Sequence, residues 1–181
     1  AKSIRFGLGA IKGVGIKSIS NIVRERKKNG NFKNIIDFMN RVSKDVINKR
    51  QLEKLIQAGA FDSIERNRSK LFINVPRFVE LYGGDKSLNQ DMLFEENEIS
   101  FEDKNLFEQK FRKWNNLEVL KNELEVIGFY FSDHPLNYYP AKFFEFQNII
   151  SFSNQNEFDT LKVCGAVLDI KERSNKDGRK Y

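Results

Sequence analysis

The sequence predicts a mainly α-helical chain: two consecutive helical hairpins forming one bundle, an acidic connector, one further helix and a short terminal β-hairpin. Three observations carry that expectation. Apolar residues recur at helical spacing through most of the first 82 residues, with a capping signature before one run and glycines after several. Between residues 85 and 108 acids outnumber bases 8 to 2 and no amphipathic period persists. From residue 161 the pattern changes to alternation, closing on Asn175, Lys176, Asp177 and Gly178, the chemistry of a tight turn between strands.

Residues 4–28 are expected to form two short helices around a tight turn. Leu8 and Ile11 precede Gly13-Val14-Gly15, and Ile16, Ile19, Ile22 and Val23 follow at helical spacing. A third helix is expected over 34–42, with Phe32, Ile35, Ile36, Met39 and Val42 on one face. Asn48 caps a fourth helix while Gln51 reaches back as a capping box; Leu52, Leu55 and Ile56 face inward and Gly59 ends it. A fifth spans 68–82 with a stripe of Leu71, Phe72, Val75, Phe78, Val79 and Tyr82, which Pro76 should kink or split. A sixth runs over 114–127 on Leu117, Leu120, Leu124 and Ile127, with Gly128 as its stop. Val163, Gly165, Val167 and Asp169 mark a strand over 161–170, and Arg179 begins its return. A strand without its full partner reads as a piece of a longer polypeptide. The composition shifts divide the chain into 1–84, 85–110, 111–158 and 159–181.

The 181 residues are 40% hydrophobic, enough for a packed core. No apolar run is long enough to span a bilayer, and the first residues do not read as a signal peptide. A single cysteine, Cys164, excludes a disulfide framework and a multi-cysteine zinc site, which places the chain in a reducing, cytosolic setting. The net charge of +6 is unevenly held. Residues 1–80 carry 18 Lys+Arg against 7 Asp+Glu, a balance of +11, and residues 81–181 carry 13 against 18, a balance of −5. A basic half joined to an acidic one points to a polyanion bound mainly by the first, against the alternative of a solvated basic surface.

Gly13-Val14-Gly15 is the strongest local signal. Glycines at alternate positions between two helices let backbone N–H groups approach a phosphate, and the following helix adds favourable partial charge. Lys12 and Lys17 flank this turn and are placed to neutralise phosphates; the bare pattern is more often a tight structural turn, and the apolar helices on both sides with the basic context favour DNA. Lys49 and Arg50 occupy the first turn of the fourth helix, where the helix dipole disfavours cations. An external anion explains them better than helix stability does, with plain surface charge as the alternative. The second hairpin lacks a Gly-x-Gly, which favours packing over binding there.

In the acidic connector, Gln90, Asp91, Met92, Leu93 and Phe94 place an apolar triplet where no core exists for it. Such a segment docks into a partner's apolar groove or folds back onto the fifth helix. No catalytic constellation is present. Asp85, Asp91, Glu95 and Glu96 read as a solvated acidic linker rather than a metal site, and no cofactor is expected in this chain. His134, the sole histidine, and Cys164 read as structural.

Three blocks together resemble the bacterial DNA polymerase III alpha-subunit family. They are Phe6-Gly7-Leu8-Gly9-Ala10-Ile11-Lys12-Gly13-Val14-Gly15; Asn48-Lys49-Arg50 through Leu55-Ile56-Gln57-Ala58-Gly59-Ala60-Phe61-Asp62; and Leu124-Glu125-Val126-Ile127-Gly128-Phe129-Tyr130-Phe131-Ser132-Asp133-His134-Pro135-Leu136. They stand in the family's order at family-like separations and cover essentially the whole chain. The resemblance implies a tandem helix-hairpin-helix region that contacts duplex DNA behind the active site. It implies that residues 90–94 are the internal motif that binds the sliding clamp, and that the final strand and turn begin a truncated OB-fold. It places the catalytic aspartates and their Mg2+ in an upstream palm outside this chain, and the protein in the bacterial cytoplasm among other replicase subunits. Two departures from the family pattern stand out: Pro76 interrupts a helix, and Asp91 and Met92 fill tolerant positions of the clamp motif. The error-prone paralogue of the same subunit, a repair nuclease or ligase built on the same hairpins, and a helical scaffold are the competing readings.

Overall fold

The computed structural model describes residues 6–43, 45–82, 110–139 and 165–180. The chain divides into two compact units, Ala1–Ser132 and Asp133–Tyr181. The described part of the first unit is helical: α1 Ile16–Asn29, α2 Ile35–Arg41, α3 Lys49–Gln57, α4 Arg68–Tyr82 and α5 Asn116–Ile127.

The leg before α1 is shorter than expected. Leu8–Ala10 makes a single 3-10 turn, because Gly7 and Gly9 favour loop over helix on both sides of Leu8. In α1 only Ile22 is buried; Ile16, expected on the apolar face, is 73% exposed. Asn34 caps α2 by accepting the Asp37 N–H at 2.7 Å. The capping box of α3 forms as its residue pattern requires: Asn48 Oδ1 accepts from Gln51 N–H at 3.0 Å, and Gln51 Oε1 from Asn48 N–H at 3.1 Å. Pro76 does not split α4, which runs unbroken from Arg68 to Tyr82. It lies on the exposed side, so its ring does not disturb the packed face.

One core joins these elements. Leu52, Leu55 and Ile56 of α3, Leu71, Val75 and Phe78 of α4, and Phe38 and Met39 of α2 lie in it, with Ile11 and Val14 from the first turn. Phe38 packs edge-on against Phe61 at 4.9 Å and Phe32 at 5.0 Å, tying α2 to the segments that precede it and follow α3. The helix α5, set apart by composition, packs against α3 and sends Val126 and Ile127 into the same core. Its buried face is Leu120, Glu123, Val126 and Ile127, while Leu117 is 42% exposed. The expected stripe is therefore rotated, because a carboxylate occupies the middle of it.

That carboxylate has a partner. Glu123, fully buried, accepts from Arg68 Nη1 at 2.9 Å, and its other oxygen accepts the N–H groups of Phe131 and Ser132, each at 2.9 Å. Arg68, 9% exposed, also grips Asp62 through two bonds, 2.9 and 2.6 Å. Gly59 makes room for this cluster: its φ is +77°, and a Cβ there would stand 2.6 Å from Arg68 Cζ and 2.7 Å from Asp62 Oδ2. Gly59→Ala is expected to cost about 3 kcal/mol, the left-handed strain and the displaced guanidinium together. Urea unfolding of the two proteins side by side checks this; a loss below about 1 kcal/mol would mean that the cluster yields freely.

In the second unit, Pro135–Tyr138 forms a 3-10 turn. Asp133 accepts from the Tyr138 hydroxyl at 2.6 Å, from His134 N–H at 2.8 Å and from Asn137 Nδ2. These bonds, the Tyr138 one foremost, hold its carboxyl below the ordinary aspartate range. The turn at Asn175 forms, with Asn175 N–H to Arg179 C=O at 2.9 Å and Gly178 at φ +76°. The strands expected beside it do not appear among the described residues. Residues 165–170 belong to no strand, and a single antiparallel bridge, Ser174 to Lys180, closes the turn. Alternation in sequence sets which way side chains face, and ladder bonds need a neighbouring strand; residues 161–164 of the expected strand lie outside the described residues.

Candidate nucleic-acid interface

The first hairpin is anchored from below and open above. Ile11 and Val14 are buried, and Val14 N–H returns to Ile11 C=O at 3.1 Å. Between them Lys12 and Gly13 are exposed, Gly13 with φ +79°. A Cβ on Gly13 would meet nothing within 4 Å, so it is the left-handed backbone and not crowding that requires glycine there. Gly15 differs. It is the N-cap of α1 with φ −71°, an angle any residue adopts, and a Cβ would make only ordinary contact with Gln51 Nε2 at 3.6 Å. Nothing in the protein's own packing demands glycine at 15, and no side chain caps α1. The first turn of α1 thus offers its backbone N–H donors outward, beside the positive end of a 14-residue helix.

The second site lies against the first. Gln51, besides completing the α3 capping box, extends Nε2 to Ser18 Oγ in the first turn of α1 at 3.4 Å. The N-termini of α1 and α3 are therefore neighbours. Lys12, Lys17, Lys49 and Arg50 are all exposed, and none of them forms a salt bridge among the described residues. Lys54, further along α3, is by contrast paired to Glu125 at 2.7 Å. The structure thus brings together Lys12, Gly13, Val14, Gly15, Lys17, Lys49 and Arg50, with Val14 as the buried anchor. Two pairs of cations, unpaired among the described residues, flank two adjacent helix N-termini, the arrangement expected of a surface that reads phosphates and not bases.

Sequence reasoning missed the residues that hold this surface in place. Lys12 N–H donates to Val126 C=O at 2.8 Å, so the C-terminal turn of α5 supports the first hairpin. Gly128, left-handed at φ 96°, sits where a Cβ would come 3.8 Å from the Lys12 side chain. The available signal was Glu123, a charge spaced three and four residues from Leu120 and Ile127 on an otherwise apolar face. Gln51 carried no signal for its bond to Ser18, since the pair is long-range.

The other candidates fall elsewhere. Gln90, Asp91, Met92, Leu93 and Phe94 lie outside the described residues, as does Cys164. His134 accepts the Leu136 N–H on Nδ1 at 3.3 Å, a capping role. Among the described residues no group of three His, Cys, Asp or Glu side chains is placed to hold a metal ion, and no helix is long and apolar enough to cross a membrane.

Comparison with known proteins shows which sequences this chain resembles. The family model for the helix-hairpin-helix motif matches residues 1–71. The DNA polymerase III subunit alpha of Campylobacter jejuni is 34% identical over 188 residues, covering 99% of this chain. That of Neisseria meningitidis serogroup A is 35% identical over 181 residues, covering 97%, and that of Borreliella burgdorferi 37% over 150 residues, covering 81%. The chain spans only 15% of the length of the first two relatives and 13% of the third.

Proposed function

This chain is a homologue of one segment of the bacterial DNA polymerase III alpha subunit, and from that premise we propose that it holds duplex DNA by its backbone behind a polymerase active site. The observation that carries the proposal is the pairing of the two helix N-termini, joined through Ser18 and Gln51 and flanked by Lys12, Lys17, Lys49 and Arg50. Contacts of this kind recognise phosphates and not bases, which suits a surface that must slide along product. Nucleotide transfer and its Mg2+ belong, in this reading, to palm residues of the whole cytoplasmic polymerase. The test is duplex binding by fluorescence anisotropy across a salt series with two unrelated sequences. Equal affinities and a linear fall of log K with log salt are expected; a strong preference for one sequence would overturn the proposal.

Residues 90–94 are proposed as the clamp tether. A loose grip on duplex combined with attachment to a closed ring raises effective concentration and suppresses dissociation. Gln90 supplies directional hydrogen bonds, and Leu93 and Phe94 the apolar anchors. Leu93→Ala with Phe94→Ala is expected to abolish binding to the bacterial sliding clamp in calorimetric titration while far-ultraviolet circular dichroism stays unchanged. Retained binding in the double variant would remove the tether from the proposal. In the same reading residues 159–181 begin an OB-fold.

A further inference from the structure

The basic surface does not end at the hairpins. Along α1, Lys17, Asn21, Arg24 and Lys28 follow at i, i+4, i+7 and i+11 and share one face, turned from the buried Ile22. Lys17, Arg24 and Lys28 are exposed, and none forms a salt bridge among the described residues. The helix dipole accounts for cations in the last turn, at Arg26, Lys27 and Lys28, but not for Lys17 in the first or Arg24 in the middle. Arg24 and Lys28, four apart with like charge, oppose helix formation.

Beside this face a groove of about 290 Å³ runs between α1 and the turn after α2, lined by Arg24, Lys28, Arg41, Asn21 and Ser43. Its one carboxylate, Glu25, is already engaged by Arg41 Nε at 2.9 Å and Asn29 Nδ2 at 2.7 Å. The groove is therefore lined by cations, and the one carboxylate in its lining is committed to Arg41.

We infer that this face of α1 is a second DNA contact, in which Arg24 and Lys28 take phosphates along the strand that the hairpin has already engaged at Lys17. Eleven residues of helix span about 16 Å, the axial length of about five base pairs. Duplex laid along α1 is thus held over a track and not at a point, which fixes its direction relative to the bundle. The inference rests on the hairpins binding duplex.

A matched pair of variants of the 181-residue chain separates a track from general basicity. Arg24→Gln and Arg26→Gln change the same charge two positions apart, on faces about 160° from each other. Arg24→Gln is expected to lower the salt slope by about 0.9, and Arg24→Gln with Lys28→Gln by about 1.8, whereas Arg26→Gln leaves it unchanged. Equal effects of Arg24→Gln and Arg26→Gln would overturn the track in favour of a diffuse field. No effect of Arg24→Gln, with Lys12→Glu, Lys17→Glu still weakening binding, would overturn the track and leave the hairpin reading standing. No duplex binding by the unmodified chain would remove both.

Discussion

Glu123→Ala is expected to destabilise the chain by about 3–5 kcal/mol, the cost of removing one partner from a buried ion pair. The reason lies in how many groups depend on that carboxylate. Arg68 would keep Asp62, itself 42% exposed on its side chain, but its Nη1 would lose its bond to Glu123. The Phe131 and Ser132 N–H groups would lose their acceptor together. Since a domain of this size is stable by only about 5–15 kcal/mol, the loss is a large share of the total. Urea unfolding measures it. Adding Arg68→Met to Glu123→Ala is expected to cost less than the sum of the two single changes, because both remove the Arg68–Glu123 bond while Arg68→Met alone also removes the bonds to Asp62. A loss below about 1 kcal/mol, or simple additivity, would mean that the pair is incidental to the fold.

The consequence reaches the proposed nucleic-acid surface. Glu123 holds α5 to α4, and the end of α5 holds Lys12 through Val126. Weakening of α5 is therefore expected to loosen the first hairpin before it unfolds the bundle.

The parts legible in the sequence are those governed by local rules. Asn48 and Gln51 announce their capping box because the bonds close within three residues. Gly59 and Gly128 mark helix ends because left-handed φ angles are intrinsic to the positions they fill. Lys49 and Arg50 stood out because the dipole penalises them where they are. Long-range partnerships were not legible. Glu123 finds its partner, Arg68, 55 residues away, so Leu117 was expected on the buried face in its place; the one local bond missed was the Asn115–Glu118 capping box, because the helix was expected to begin at residue 114. The alternation over 161–170 is not matched by a strand among the described residues 165–170: a period of two records a preference for facing, and only a neighbouring strand converts it into a sheet. The union of the two hairpins into one surface depends on Ser18 meeting Gln51, 33 residues away, and no spacing rule connects them.

Lys12→Glu with Lys17→Glu is expected to weaken duplex binding for every sequence alike. Each lysine that neutralises a phosphate contributes about 0.9 to the slope of log K against log salt, so losing both flattens it by about 1.8. With affinity at 1 M salt taken as unchanged, that slope corresponds to roughly thirty-fold weaker binding near 0.15 M, and the reversed charges add repulsion. The fold should hold, because both side chains are exposed and neither forms a salt bridge among the described residues. Fluorescence anisotropy over a salt series gives slope and affinity together. A parallel drop for two unrelated duplexes, with the slope reduced, places phosphates at the first hairpin. Weaker binding at an unchanged slope would mean that the lysines act through the shape of the turn and not by charge. In that case Gly13, through its left-handed φ, and Gly15, through the uncapped donors of α1, would carry the contact.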